Sequence, residues 1–148
     1  MTEATGSMEG SFLMPAFEHA SVADAMRPGI IGCPPDTPLR AVARIMASNH
    51  VHSVVVSRGE SDSGGRPWGI VSDVDLARAA DQADDLMAAD ACATEVVSVG
   101  PEETLARAAQ LMAEHETSHL IVVDPSSERP VGVLSTLDLA GIVAWGRA

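Results

Sequence analysis

The sequence predicts an α/β protein in which one β-α-β-β-α unit occurs twice, and three observations predict it. The stretch Cys33-Pro-Pro-Asp-Thr-Pro-Leu39-Arg-Ala-Val-Ala-Arg-Ile45-Met46 reads against Val99-Gly-Pro-Glu-Glu-Thr-Leu105-Ala-Arg-Ala-Ala-Gln-Leu111-Met112, with an offset of 66 positions. Gly69-Ile-Val-Ser72-Asp73-Val-Asp75-Leu76 reads against Gly132-Val-Leu-Ser135-Thr136-Leu-Asp138-Leu139, with an offset of 63. Self-similarity of this kind marks a duplicated supersecondary unit. The change of offset is a loop three residues shorter in the second copy, and a site built from one copy has a twin in the other. Third, the apolar strand runs are continuous, not alternating, as in sheets covered on both faces.

The elements follow in order. Residues 1–16 are small, polar and acidic without periodicity and read as a flexible tail. Ser21-Val-Ala-Asp24 reads as an N-cap with an acid three residues on, opening a short helix stopped by Pro28-Gly29. Ile30–Cys33 reads as a short strand ended by Pro34-Pro35. Thr37 is the expected cap of the next helix, with Pro38 in its first position. Leu39, Val42, Ile45 and Met46 form its apolar stripe. Val51–Ser57 is a strand, Arg58–Pro67 a Gly/Ser/Asp hairpin loop, Trp68–Val71 a strand, and Ser72 opens a helix. In the second copy the same order predicts a short helix over Asp84–Ala89 and a strand over Val96–Val99. A helix over Glu103–His115 follows, with Leu105, Ala108, Leu111 and Met112 facing the core. Strands over Leu120–Asp124 and Val131–Leu134 flank a turn over Pro125–Arg129, and a final helix runs over Ser135–Trp145. The copies are therefore bounded at 17–82 and 83–148, and each alone would bury only about 60% of its unfolded surface, so a shared core is expected.

Composition narrows the function. The net charge is −12, and all nine basic residues are arginines without a basic stripe, which opposes nucleic acid and anionic membrane surfaces. No apolar run reaches the ~18 residues of a membrane span. The N-terminus has neither the basic nor the apolar region of a signal peptide, so a cytoplasmic location is expected. Two cysteines make no disulfide framework, and Cys33 reads as a small core hydrophobe where the second copy has Val99. His50-x-His52 and the His115/His119 pair suggest metal, but His115 reads as a helix end and His119 as a strand start, so a surface or cap role is preferred and no metal is expected. Met26, Met46, Met87 and Met112 read as packing, and the acidic pairs Asp84-Asp85 and Glu102-Glu103 as helix starts. No nucleophile–base motif, Gly-rich phosphate loop or redox pair appears, so an enzyme is not the expected reading.

The most specific signals are Ser72-x-x-Asp75 and Ser135-x-x-Asp138, each closing a Gly-started apolar strand and opening a helix. Two readings stand side by side. In one, serine and aspartate form a capping box. In the other, the helix N-terminus offers N–H groups to an anion and the carboxylate accepts from a ribose diol. The order β-α-β-β-α and the Gly-h-x-Ser-x-x-Asp ending (h apolar) resemble a cystathionine-β-synthase (CBS) domain, as do Val-Ala-Asp-Ala-Met26 and Pro-Pro-Asp-Thr-Pro-Leu39. Two in tandem resemble a Bateman module over residues 21–145.

The resemblance implies a pseudo-two-fold pair with two clefts between the copies. It implies that the final-motif aspartate holds ribose and that the serine or threonine meets phosphate. One cleft would join Ser72 and Asp75 with Thr117, Ser118, His119 and Val97; the other would join Ser135, Thr136 and Asp138 with Val51, His52, Ser53 and Ile31. Asp73 would oppose a polyphosphate in the first cleft, whereas Thr136 is neutral and His52 a possible cation in the second, so the Ser135/Asp138 cleft is expected to bind better. The resemblance also implies an Arg or Lys near the phosphates, and neither copy has an obvious one, Arg78, one turn past Asp75, being the nearest candidate; this disfavours ATP against AMP, adenosine or S-adenosylmethionine. No cofactor is required. The resemblance thus implies a stand-alone sensor of an adenosyl ligand that bridges the copies. It also implies a homodimer, head-to-head or head-to-tail, through Leu137, Leu139, Ile142, Val143, Leu76 and Ala77, regulating a separate protein. The alternative is a ligand-free interaction module acting on an enzyme or transporter.

Overall fold

Leu39, Val42 and Met46 recur at helical spacing, and their side chains are buried; so are Leu105, Ala108 and Met112, 66 residues on. The computed structural model describes residues 16–57 and 69–146. The expected tail up to residue 15, the loop 58–67 and the strand start at Trp68 lie outside the described residues; Ala16 is buried. In chain order the elements are α1 Val22–Ala25, β1 Arg27–Pro28, β2 Gly32–Cys33, α2 Leu39–Asn49, β3 Ser53–Val56, β4 Gly69–Ser72 and α3 Asp73–Ala79. They continue as α4 Ala88–Ala91, β5 Ser98–Val99, α5 Leu105–His115, β6 His119–Val123, β7 Pro130–Ser135 and α6 Thr136–Trp145. The order β-α-β-β-α occurs twice, each time preceded by a short helix, as the repeat predicts. Among the described residues no helix is long and apolar enough to cross a membrane.

Several boundaries differ from expectation. The cap of α2 is Pro38, not Thr37, and it has no side chain to accept a first-turn amide; Thr104, its counterpart, does accept from Arg107 N at 3.1 Å. The short helix of the second copy is Ala88–Ala91, not Asp84–Ala89, because Asp90 is the acid that reaches back to the Met87 amide at 2.8 Å. The 66-residue offset from Val22–Ala25 leads to that position directly. Asp84 lies in a turn and pairs with Arg40 at 2.6 Å. Helix α5 starts at Leu105, leaving Glu103 to accept from the Gly100 amide at 2.9 Å. Strands β2, β3 and β5 are shorter than their apolar runs, β6 starts one residue early at His119, and β7 extends to Pro130 and Ser135.

Both long helices end on a left-handed residue, His50 at φ 54° and Glu116 at φ 51°, so His50 sits in a helix cap and not on a strand face. The turn sends the following amides, Val51 N and Thr117 N, back to the carbonyls of Met46 and Met112 at 3.1 Å each. It also aims residues 51–53 and 117–119 along the start of the next strand. A side chain in this conformation costs roughly 1–2 kcal/mol, and an acid at a helix C-terminus opposes the dipole. Glu116→Gly is therefore expected to stabilise the protein by about 0.5–1 kcal/mol after the entropy cost of glycine. A thermal melt checks this, and a lowered midpoint contradicts it.

The chain divides into two compact units that do not coincide with the sequence copies. Among the described residues the α2 unit holds 29–57, 69–96 and 125–131, and the α5 unit holds 16–28, 97–124 and 132–146. In the α2 unit β2 runs parallel to β3, and β3 pairs antiparallel with β4, Ser53 opposite Ser72. In the α5 unit the sheet order is β1-β7-β6-β5, with β5 parallel to β6 and Arg27 opposite Val133. The short helices are exchanged: α1 docks in the α5 unit through Val22 N to Glu103 O and Ala23 N to Pro101 O, both 2.8 Å. Helix α4 docks in the α2 unit through Ala88 N to Thr37 O at 2.8 Å and Ala89 N to Pro35 O at 2.9 Å.

Each unit buries its own aliphatic set. The α2 unit packs Leu39, Val42, Met46, Val54, Val56, Val71 and Ala88 around Cys33. Burial pushes the Cys33 thiol above its ordinary pKa, with a Thr37 hydrogen bond opposing, so it behaves as the small hydrophobe the sequence implies. The α5 unit buries Val22, Leu105, Met112, Leu120, Ile121, Val122 and Leu134.

The glycine that opens each signature has a structural reason. A Cβ on Gly69 would lie 2.7 Å from Ala93 O and 2.9 Å from Cys92 Sγ. A Cβ on Gly132 would lie 2.6 Å from Arg27 O and 3.0 Å from Met26 Sδ. In both units the exchanged segment crosses the last strand at this point, Ala93 opposite Ile70 and Pro28 opposite Gly132.

Candidate functional site

Each candidate site grows from a strand-to-helix corner. Strand β4 delivers Ser72 to the N-cap of α3, and β7 delivers Ser135 to the N-cap of α6, both serines in the extended region. Ser72 Oγ accepts from Asp75 N at 3.2 Å, while Asp75 Oδ2 accepts from Ser72 N and Ser72 Oγ, each at 2.9 Å. The second corner repeats this: Asp138 N to Ser135 Oγ at 3.2 Å, Ser135 N to Asp138 Oδ2 at 2.8 Å, Ser135 Oγ to the same oxygen at 3.0 Å. The capping box is real in both copies, and it consumes one carboxylate oxygen and leaves the other available. The capping and ribose readings are therefore compatible.

The box also limits what the helix ends can offer an anion. Asp73 N donates to His52 O at 2.9 Å, and Thr136 N donates to Ser118 O at 3.0 Å. With Asp75 N and Asp138 N held by their serines, two of the three first-turn amides are already engaged at each corner. A phosphate placed there finds less than the open N-terminus that sequence suggests. The signal was absent from the sequence, because the partner carbonyl arrives through strand pairing.

Within each unit the structure brings together one matched set of the expected residues. The α2 unit gathers Val51, His52 and Ser53 beside Ser72 and Asp75, with Ile31 O accepting from Val55 N at 3.0 Å. The α5 unit gathers Thr117, Ser118 and His119 beside Ser135, Thr136 and Asp138, with Val97 O accepting from Ile121 N at 3.1 Å. The expected groupings drew these partners from the opposite copy; the hydrogen bonds inside each unit join residues of the same copy.

The two corners differ in charge. In the α2 unit His52 Nδ1 donates to Asp73 Oδ2 at 3.1 Å, so this imidazole is engaged with the carboxylate of its own corner. Oδ1 of Asp75, whose side chain is only 17% exposed, lies 3.8 Å from Arg78 Nη1 on the next turn. In the α5 unit the equivalents of His52 and Asp73 are Ser118 and Thr136. Ser118 Oγ lies 2.9 Å from Nδ1 of His119, which is buried, and Thr117 Oγ1 donates to His119 O at 3.1 Å. Asp138 is the sole acid in the first turn of α6, whereas α3 carries two. Among the described residues no group of three His, Cys, Asp or Glu side chains is placed to hold a metal ion.

A comparison with curated proteins returned no match. Among solved structures, a CBS domain protein from Pyrobaculum aerophilum complexed with AMP is 28% identical over 81% of this chain and 90% of its own, with a TM-score of 0.70. A CBS domain pair in complex with 5′-methylthioadenosine and S-adenosyl-L-methionine is 20% identical over 84% of this chain and 96% of its own, with a TM-score of 0.74. An uncharacterized conserved protein from Pyrococcus horikoshii is 20% identical over 88% of this chain and 96% of its own, also with a TM-score of 0.74. The CBS domain model matches residues 22–82 and again 88–144, covering both Ser-x-x-Asp corners, and the chain belongs to that family as a tandem pair of CBS domains.

Proposed function

We propose that this chain is a regulatory module that binds an adenosine-containing ligand, AMP, adenosine or an S-adenosylmethionine-like compound, with Asp138 as the ribose acceptor. The observation that carries this reading is the division of labour in the Asp138 carboxylate. Oδ2 is held by Ser135, and among the described residues no hydrogen bond engages Oδ1. A fixed carboxylate with one open oxygen is a pre-oriented acceptor for a hydroxyl. The AMP of the Pyrobaculum protein supports the ligand class. Asp75 is the weaker acceptor, because Arg78 lies beside its second oxygen and Asp73 adds a like charge to any phosphate. The module acts as a homodimer through α6, where Leu137, Val143 and Trp145 stand exposed, and passes ligand occupancy to a separate protein through its differential affinity for two states.

A ligand-free interaction module is the second reading, favoured by the engaged first-turn amides. Differential scanning fluorimetry against AMP, ADP, ATP, S-adenosylmethionine, NAD and adenosine separates the two. A ligand at a hundred times its Kd adds about 2.7 kcal/mol, a rise of several degrees in Tm. The expected outcome is a concentration-dependent rise for AMP or adenosine that exceeds that for ATP. Flat curves for all of them overturn the nucleotide reading and leave the interaction module.

A further inference from the structure

We propose that the outer face of α6 is covered by α6 of a second copy, antiparallel across a two-fold axis between residues 140 and 141, and not by α3 of that copy. This pairing rests on the homodimer reading and says which helix meets which.

Leu137, Val143 and Trp145 of α6 stand 65%, 67% and 68% exposed. Helical spacing sets Leu137, Ala140, Gly141 and Ala144 in one outward stripe, with Val143 on one flank and Trp145 on the other. A Cβ on Gly141 would meet nothing within 4 Å, so among the described residues no neighbour covers the middle of the stripe. The single charged residue of the helix, Asp138, is half-buried and lies off the stripe. On a chain of net charge −12, such a stripe is where a second copy can approach without pressing like charges together. The stripe also complements itself. Turned end for end on its own copy, Leu137 lies over Ala144 at one end and Ala144 under Leu137 at the other, the reciprocity that a two-fold contact requires. Between them Ala140 and Gly141 let the two backbones approach to the spacing that alanine-sized residues allow.

The equivalent stripe on α3 and the turn after it is Val74, Ala77, Arg78 and Asp81, all exposed. Two of its four positions are charged where α6 has glycine and alanine. Laid antiparallel on α6, it would set Asp81 over Leu137 and Arg78 over Ala140, burying both charges on apolar partners. That mismatch costs at least about tenfold in affinity against the α6–α6 pairing.

Sedimentation and oxidative cross-linking of the full chain test this. The wild type is expected to sediment as a dimer. Ala140→Cys, an exposed position beside the axis, is expected to give a disulfide-linked dimer under mild oxidation. The wild type, with Cys33 buried and Cys92 half-buried, is expected to give none. In a mixture of differently tagged Ala140→Cys and Ala77→Cys chains, the Ala140→Cys chains are expected to link to each other and not to Ala77→Cys. Leu137→Glu sets a carboxylate on the stripe of each copy and is expected to raise the dimer Kd at least about tenfold. Both changed positions are exposed, so the variants fold, as their melts will show. A dimer in which Ala140→Cys links to Ala77→Cys and not to itself, or one whose Kd Leu137→Glu leaves within about threefold, overturns this pairing alone. A wild type that stays monomeric at every concentration overturns the homodimer reading and this pairing with it.

Discussion

Gly132→Ala is expected to lower stability by about 1–3 kcal/mol, the usual cost of forcing extra volume into a filled site. The added methyl would arrive 2.6 Å from Arg27 O, a backbone atom held by the β1–β7 pairing. It would also press on Met26 Sδ, the tip of the segment that carries α1 into the α5 unit. Because a carbonyl cannot swing aside as a side chain tip can, the pairing itself must give. Gly69→Ala should behave alike, with Ala93 O at 2.7 Å. Gly141→Ala is the control with the opposite sign: it lies inside α6 with nothing within 4 Å of its added Cβ. There the helix propensity of alanine over glycine should add about 0.8–1 kcal/mol. Urea denaturation of the three variants checks the set, and a neutral Gly132→Ala would mean that the strand crossing relaxes freely.

Asp138→Ala is expected to have the largest effect on ligand binding. Removing a charged acceptor of ribose hydroxyls costs about 1.5–3 kcal/mol, a loss of roughly tenfold to a hundredfold in affinity. The same variant loses the acceptor for Ser135 N and Ser135 Oγ, so the unliganded protein should also lose about 0.5–2 kcal/mol. Asp75→Ala separates the two contributions. It breaks an equivalent box at 2.9 Å and should show a similar loss of stability, but little change in affinity. Calorimetry with AMP on both variants, read beside their melts, is the measurement. Equal losses of affinity would sink the assignment of ribose binding to Asp138, whereas equal losses of stability are expected.

Much of this molecule is legible in its sequence for a local reason. The capping boxes at Ser21, Ser72 and Ser135 involve residues three apart, so spacing alone finds them. The stripes of α2 and α5 follow from helical periodicity, and the continuous runs of β3 and β6 match strands buried along nearly their whole length. The start of α4 is not legible in the same way, because two nearby sequences compete for it. Asp84-Asp85 and Asp90 both resemble the start of α4, and only Asp90 lies three residues past an amide whose helix can dock on Pro35 and Thr37.

The sequence by itself determined the duplicated β-α-β-β-α order, the serine–aspartate corners and the family. Tertiary structure alone decided which copy each short helix serves, because α1 and α4 carry nearly the same sequence and either docking would satisfy the pattern. It also decided that Gly69 and Gly132 are crossing points and that His52 serves Asp73. It engaged the Asp73 and Thr136 amides before any ligand arrives. Each of these depends on atoms brought together from 18 to 105 residues apart along the chain, a distance over which no local spacing rule operates.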